Sequence, residues 1–555
     1  MSSSSSSSTA LQWLSLVGII WLQSINGTNT NFPAYSSQLK NVLSMSQLQL
    51  NNLAFASDAG KLLGWFSGIA ALYLPLWLVL LIGSLLGLIG YGIQFLFITN
   101  QIPSPSYWQI FLLTVVAGNS ICWINTVCYV VSIRNFPCHQ QIAVGITTSY
   151  QGLSAKIYTD IVGAAFSSSP QRKAKAYLLL NALLPLGVGV VVAPLVRDIG
   201  VMGGPRNMEA GFISMFLITI ATGIYAVISS LGSISSGLSP LKNVIGTGVF
   251  LLAPLVIPIV EKMRENLSKK WNLNRERRVY SFTMEEKNNG IGSLEIVAVK
   301  EGEELDGTME EKNNGIGSLE IGAVKEGEEL DGRQVHEPCV REEIGVKLMV
   351  TRLDFWLYFF VYFFSATLGL VFLNNLGQIA ESRGSSRTSS LVSLSSSFGF
   401  FGRLMPSLLD YLFSRSKYTI SRPALIVALV APIGGAFFLL LNPASFSLFI
   451  GTAIIGVCTG AITSIAVSIT TELFGTKNFS VNHNVVVANI SIGSFVFGYL
   501  SAIFYRKEGN QEDGKCMGMA CYRNTFVIWG SLCFLGTGLA LVLFARTRKF
   551  YSQRS

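Results

Sequence analysis

PALIVALVAPIGGAFFLLLNPASFSLFIGTAIIGVCTGAITSIAVSITT, from Pro423 to Thr471, is 49 residues without one charged side chain. A bilayer core is crossed by about 20 apolar helical residues, so the run is long enough for two crossings. Asn442-Pro443 divides it near the middle, where a proline and the residue before it resist helix. Six other stretches extend about 20 residues or more without a charge: Trp77 to Ile98, Tyr107 to Ile133, Tyr177 to Val196, Gly211 to Leu241, Phe355 to Ala380 and Thr525 to Ala545. The chain therefore reads as an all-α polytopic membrane protein. Its composition agrees: of 555 residues, 50% are hydrophobic and 13% charged, about half the charge of a soluble domain. That excludes most soluble enzymes.

Working outward from this run, turn signals and charges predict spans near 11–31, 50–73, 76–98, 107–131, 141–165 and 177–197. Two more follow near 211–231 and 243–261, then six near 353–376, 388–411, 423–441, 444–470, 484–504 and 525–545. Pro75, Pro103, Pro105 and Pro137 mark boundaries in the first block. The count is 12–14, arranged as two six-helix bundles with about two extra helices between them. The expected domains are a Ser-rich N-terminus (1–10), an N-terminal membrane domain (11–261), a polar loop (262–350), a C-terminal membrane domain (351–546) and a short tail (547–555). The first apolar stretch follows no basic region and is interrupted by Gln23, Asn26 and Asn29, which reads as a retained helix rather than a cleaved signal.

The net charge of +9 combines two populations. Glu261 to Lys347 holds 14 basic and 20 acidic residues, a balance of −6, which leaves +15 on the hydrophobic body. Basic clusters follow the eighth span (Lys262, Arg264, Lys269, Lys270, Arg275, Arg277, Arg278), the tenth (Arg415, Lys417, Arg422) and the last (Arg546, Arg548, Lys549, Arg554). An even number of spans separates them, so the positive-inside rule puts all three, and both termini, in the cytoplasm. Arg172, Lys173 and Lys175 oppose this assignment. The polar loop carries a 25-residue tandem duplication: Thr283–Gly307 recurs as Thr308–Gly332, differing only at Val297 against Gly322. Two near-identical acidic copies point to a recent duplication in a disordered loop rather than a packed repeat; a cytosolic partner for this loop is the alternative.

No nucleophile elbow, phosphate-cradling loop or HExxH occurs, and three histidines make no metal cluster. Neither an enzyme activity nor a cofactor or metal is expected, and orientation signals explain the basic balance without nucleic acid. The informative residues are polar ones inside spans, which lipid tolerates only where they face protein or water. Gln23, Asn26 and Asn29 in the first span, Asn119, Trp123 and Asn125 in the fourth, and Asn374, Asn375 and Gln378 in the ninth are the candidate solute-lining set. Amide faces thus open both six-helix blocks, as in transporters whose site lies between repeats; interhelical hydrogen bonding is the plainer role. Asp58 with Lys61, and Lys156 with Asp160, stand at i, i+3 and i, i+4, spacings that favour structural ion pairs. Proton coupling through Asp58 or Asp160 is the sharper reading. Arg403, Asp410, Arg415 and Arg422 are gating candidates, with Glu472 opening a surface turn, ELFGTKNF. Cys516 and Cys521 share a loop expected outside, where a disulfide persists.

Several blocks then carry a resemblance: GTNTNFPAYSSQLK (27–40), QLNNLAFASDAGKLLGW (49–65), GNSICWINTVCYVVSIRNFP (118–137), YQGLSAKIYTDI (150–161), NNLGQIAES (374–382), ELFGTKNF (472–479) and CMGMACY (516–522). In this order they resemble the plant nodulin-like proteins of the nuclear-fusion-defective type, within the major facilitator superfamily. The resemblance implies a nodulin-like half, a cytoplasmic loop and a facilitator-like half working by rocker-switch alternating access. The superfamily's short-loop motif falls loosely at Gly402, Arg403, Asp410, Arg415 and Arg422, whereas its counterpart near Tyr73 to Trp77 is uncharged. The expected function is secondary transport of a small polar solute or organic anion at the plasma membrane or an endomembrane. The alternative is a facilitator-fold receptor or scaffold working through its loop.

Overall fold

Each long apolar run becomes a helix because hydrocarbon offers the backbone no other partner for its N–H and C=O groups. In the computed structural model the described residues are 9–103, 106–166, 169–199, 208–230, 239–288, 341–385, 388–413, 421–509 and 516–552. The duplicated segment from residue 289 onward, Arg415 and Lys417 lie outside them. The N-terminal half contains α1 (Thr9–Ile25), α2 (Ser36–Val42), α3 (Gln47–Ala59), α4 (Gly64–Tyr73), α5 (Leu76–Ile98), α6 (Tyr107–Asn135), α7 (Gln140–Gly152), α8 (Ser154–Ala165) and α9 (Pro170–Val192). Then come α10 (Glu209–Ser230), α11 (Pro240–Leu252) and α12 (Val256–Asn288). The C-terminal half has α13 (Val346–Met349), α14 (Leu353–Tyr362), α15 (Leu368–Asn374), α16 (Leu376–Ser382), α17 (Thr388–Phe413), α18 (Arg422–Leu439), α19 (Ser445–Phe474), α20 (Phe479–Glu508) and α21 (Ala520–Ser552). The chain divides into two units, Met1–Glu261 with Glu337–Ser555, and Lys262–His336; all that follows concerns the first.

Among the described residues, ten helical segments are long and apolar enough to cross a membrane. The other expected spans are helical too, but short, polar or interrupted. The first ends at Ile25 rather than near 31, so GTNTN is non-helical. The second breaks at a 3-10 turn, Gly60–Leu63, the fifth breaks at Leu153, and the tenth, Thr388–Phe413, is rich in serine. The ninth is one of the ten, yet it carries a π turn at Phe363–Thr367 and is interrupted at Asn375. Prolines do the capping expected of them: Pro75 is the N-cap of α5, and Pro170, Pro240 and Pro423 open α9, α11 and α18. Ser46 with Gln49, and Ser106 with Gln109, form capping boxes on α3 and α6.

The two halves meet along two seams. On one, α7 and α8 lie against α17; an added Cβ on Gly152 would stand 2.6 Å from the Phe400 nitrogen. On the other, α3 and α4 lie against α20, and Ser480 donates to the Gly68 carbonyl at 3.0 Å. The extra pair α10 and α11 covers the first seam: Ser230 bonds Ser397 at 3.2 Å and Thr247 donates to Asp160 at 3.2 Å. At one end of this body lie the start of α1, the end of α6 and the close of α21; at the other, Gly518 N donates to Ser382 O beside the Cys516–Cys521 disulfide.

Candidate functional site

Asp58 occupies the second seam because α3 and α6 cross with almost no space between them. A Cβ on Gly118 would fall 1.8 Å from the Ser57 carbonyl oxygen, and one on Gly60 would fall 2.2 Å from that of Val115. No side chain fits at either point, so both crossing residues must be glycine. The fully buried carboxylate that this crossing presents receives Lys61 Nζ at 2.6 Å on one oxygen. Its other oxygen receives Asn374 Nδ2 at 2.7 Å and the Ser494 hydroxyl, while Ser491 donates to the Asp58 carbonyl at 2.5 Å. One N-half residue is thus held by three C-half side chains.

Beside it a cavity lies between the halves. From the N-terminal half it is lined by Asn29, Thr30, Asp58, Lys61 and Gln151; from the C-terminal half by Asn374, Ser395, Ser396, Arg403 and Thr459. Four glycines, Gly152, Gly399, Gly456 and Gly460, keep its wall shallow. The polar lining groups are unevenly bonded. Asp58, Lys61 and Asn374 are bound to one another, Gln151 Nε2 donates to Asn125 at 3.2 Å, and Ser396 donates to the Gly152 carbonyl. The Thr459 hydroxyl has no partner among the described residues. Asn29 and Arg403 likewise make no side-chain hydrogen bond or ion pair there.

Toward the end where α6 turns into α7, a second polar cluster joins the halves. Arg422, with its side chain 7% exposed, contacts Asp410 and the Gln141 side-chain oxygen and stands 3.5 Å from Glu472. Gln141 Nε2 donates to Glu472 at 2.5 Å, Tyr551 donates to its other oxygen at 2.8 Å, and Ser407 donates to the Gln141 carbonyl at 3.2 Å. Just beyond, Gly475 takes φ +94°, which places the amides of Thr476 and Lys477 on the Glu343 carboxylate at 2.9 and 3.0 Å. A residue with a Cβ is disfavoured at that φ.

The structure therefore sorts the sequence-predicted residues. Asn29 and Asn374 line the cavity. Asn26 is instead tied to Asn125 at 2.9 Å and to the Ile121 carbonyl at 3.2 Å. Asn375 bonds its own helix at Val371, and Gln378 receives Tyr522. Gln23, Asn119 and Trp123 each bury a side-chain polar atom that has no partner among the described residues, and none belongs to the cavity lining. Both ion pairs form; Lys156 reaches the two Asp160 oxygens at 3.1 and 2.9 Å. Arg403 does not join Asp410 and Arg422 as the spacing suggested: on the same helix as Asp410, it lies about two turns nearer the centre. Glu472 is not a surface residue; it lies in the last turn of α19 and is buried at 3% exposure. Sequence reasoning missed Gln141, Gln151, Ser395 and Thr459, whose single polar side chains stand out in no local pattern.

Two helical halves around a polar cavity, with a polar tie at one end, have the fold of solved membrane transporters. A proton:xylose symporter of the major facilitator superfamily superposes with a TM-score of 0.54 at 10% identity, covering 98% of this chain and 96% of the other. A bacterial homologue of the human drug peptide transporters gives 0.50 at 12% identity, covering 98% and 100%. The family model described as Nodulin-like matches residues 12–259, and that described as NFD4, C-terminal domain, matches residues 337–553. Protein NUCLEAR FUSION DEFECTIVE 4 of Arabidopsis thaliana is 38% identical over 97% of this chain and 89% of its own length. The chain belongs to this nodulin-like, nuclear-fusion-defective family.

Proposed function

We propose that the protein is a secondary transporter of a small polar solute or organic anion that works by alternating access. The observation carrying this reading is a cavity between two helical halves whose lining includes polar groups left without partners among the described residues. A scaffold gains nothing from such groups, since each buried, unsatisfied donor or acceptor costs about 1–3 kcal/mol; a solute that hydrogen-bonds them recovers that cost. The Arg422 cluster is the gate at one end of the cavity and Asp58 the coupling proton's site, because its carboxylate touches both the cavity and the opposite half. The positive-inside rule puts the Arg422 end and both termini in the cytoplasm. The solved neighbours, a proton:xylose symporter and a bacterial homologue of the human drug peptide transporters, support the transport class.

Reconstituted full-length protein is expected to show counterflow of its solute in proteoliposomes. Asn29→Ala, which removes one unbonded lining amide, should reduce it, while deletion of residues 283–332 should leave it intact. If the deletion abolished every cellular phenotype and Asn29→Ala none, the receptor or scaffold reading would replace this one.

A further inference from the structure

The cations along the seams are answered very differently. Lys61 is held by Asp58 at 2.6 Å, Lys156 by both oxygens of Asp160, and Arg422 by Asp410 and Glu472. Arg403 lines the central cavity with no carboxylate on it among the described residues. Among the described residues, the ionisable side chains that act on it are the phenols of Tyr129 and Tyr362, groups that are uncharged at neutral pH. Within the lining, Asp58 and Lys61 cancel, so Arg403 leaves the cavity with a surplus of one positive charge.

We infer that the cavity binds a solute bearing a single carboxylate, with that carboxylate seated on the Arg403 guanidinium. The inference deepens the transporter reading and rests on it. A guanidinium partly withdrawn from water without an anion carries a desolvation cost, which a geometrically matched counter-charge recovers. Its planar fork of donors fits a carboxylate through two parallel bonds. One negative charge neutralises the lining, whereas a second would meet no free cation, because Lys61 is already engaged. The unbonded Asn29 amide and Thr459 hydroxyl, which line the same cavity, then address the rest of the solute. Both suit hydroxyl groups, so the class is a small hydroxy monocarboxylate.

The test uses full-length protein in lipid nanodiscs and four probes of that class: glycolate, lactate, glycerate and gluconate. Comparison ligands are polyols of matching size, succinate and inorganic phosphate. At least one of the four acids should bind, the polyol and succinate far more weakly. Arg403→Gln should raise its Kd by about tenfold to a hundredfold, the range expected for a charge-assisted bond. Arg403→Lys, which keeps the charge but not the fork, should fall between and also controls for folding. Failure of all four acids to bind, equal binding of a polyol, tighter binding of succinate or phosphate, or an unchanged Kd in Arg403→Gln would overturn the inference. Its failure is separable from that of the transporter reading. Counterflow of a neutral solute that persisted in Arg403→Gln would keep transport and sink the carboxylate site. Arg403-dependent binding without counterflow of the bound acid would do the reverse.

Discussion

Two arginines of the C-terminal half, Arg403 and Arg422, sit in opposite situations. Arg422 is enclosed by Asp410, Glu472 and Gln141, and Glu472 is further held by Tyr551. Arg403 faces a cavity with nothing of opposite charge upon it among the described residues. The first cluster is complete in itself; the second lacks a component. Under the alternating-access function proposed above, the contrast separates two roles. Opening the completed cluster breaks its bonds but returns the same groups to water, so the net cost is far below the Coulomb attraction of the closed pair. Occupying the incomplete one adds a bond that the protein alone cannot make. On that proposal a gate and a binding site differ in how fully their groups are bonded, not in residue type.

The largest expected effect is at the gate. Arg422→Met removes the cation and leaves Asp410 and Glu472 uncompensated; breaking one partner of such a buried pair costs about 3–5 kcal/mol. Thermal unfolding of the detergent-solubilised protein should show a large loss. A loss under about 1 kcal/mol, the range of ordinary surface changes, would mean that this cluster does not tie the halves.

Next in size is Asp58, which borders the cavity yet is bonded as fully as Arg422. Asp58→Ala leaves Lys61 without its carboxylate and the Asn374 amide and Ser494 hydroxyl without their acceptor. A destabilisation of about 1–3 kcal/mol follows from the orphaned groups, readable by the same unfolding measurement. Asp58→Asn keeps an acceptor and should cost less. Equal costs would show that the charge, rather than the bonding, holds this seam.

These contrasts also explain what was legible in advance. The run Pro423 to Thr471 and its fellows announced the membrane fold because length and lack of charge are local properties. The Asp58–Lys61 and Lys156–Asp160 pairs were legible because i, i+3 and i, i+4 neighbours share a helix face. Which amides face the cavity was not, since the 3-10 turn at Gly60–Leu63, the break at Leu153 and the π turn at Phe363–Thr367 each shift the helical register on which such a reading depends. Adjacent residues illustrate the consequence: Asn374 reaches Asp58 in the other half, while Asn375 bonds back to Val371. Gln141 and Arg422 are 281 positions apart, and no local pattern announces a partner at that distance.

A smaller effect is expected at Gln141, the N-half side chain that donates to Glu472 and contacts Arg422. Gln141→Ala removes about 1 kcal/mol of hydrogen bonding from the closed gate, enough to raise the open fraction roughly fivefold. Thiol labelling from the Arg422 side, at a cysteine placed at position 29, would report the change. Unaltered labelling would separate this cluster from gating while leaving its stabilising role in place.

The smallest effect on stability, and the sharpest separation of the two sites, belongs to Arg403→Met. The guanidinium gives up no hydrogen bond or ion pair among the described residues. A methionine retains most of its apolar stem while removing a charge that the interior does not answer. Removing a partly buried charge that no carboxylate answers removes its desolvation cost, so the melting temperature should hold or rise, opposite in sign to Arg422→Met. The same substitution at two arginines of one half then distinguishes a group that holds the protein closed from one held in reserve for a ligand. A melting temperature that fell as far in Arg403→Met as in Arg422→Met would mean that Arg403 has a structural partner after all, and the distinction between the two sites would collapse.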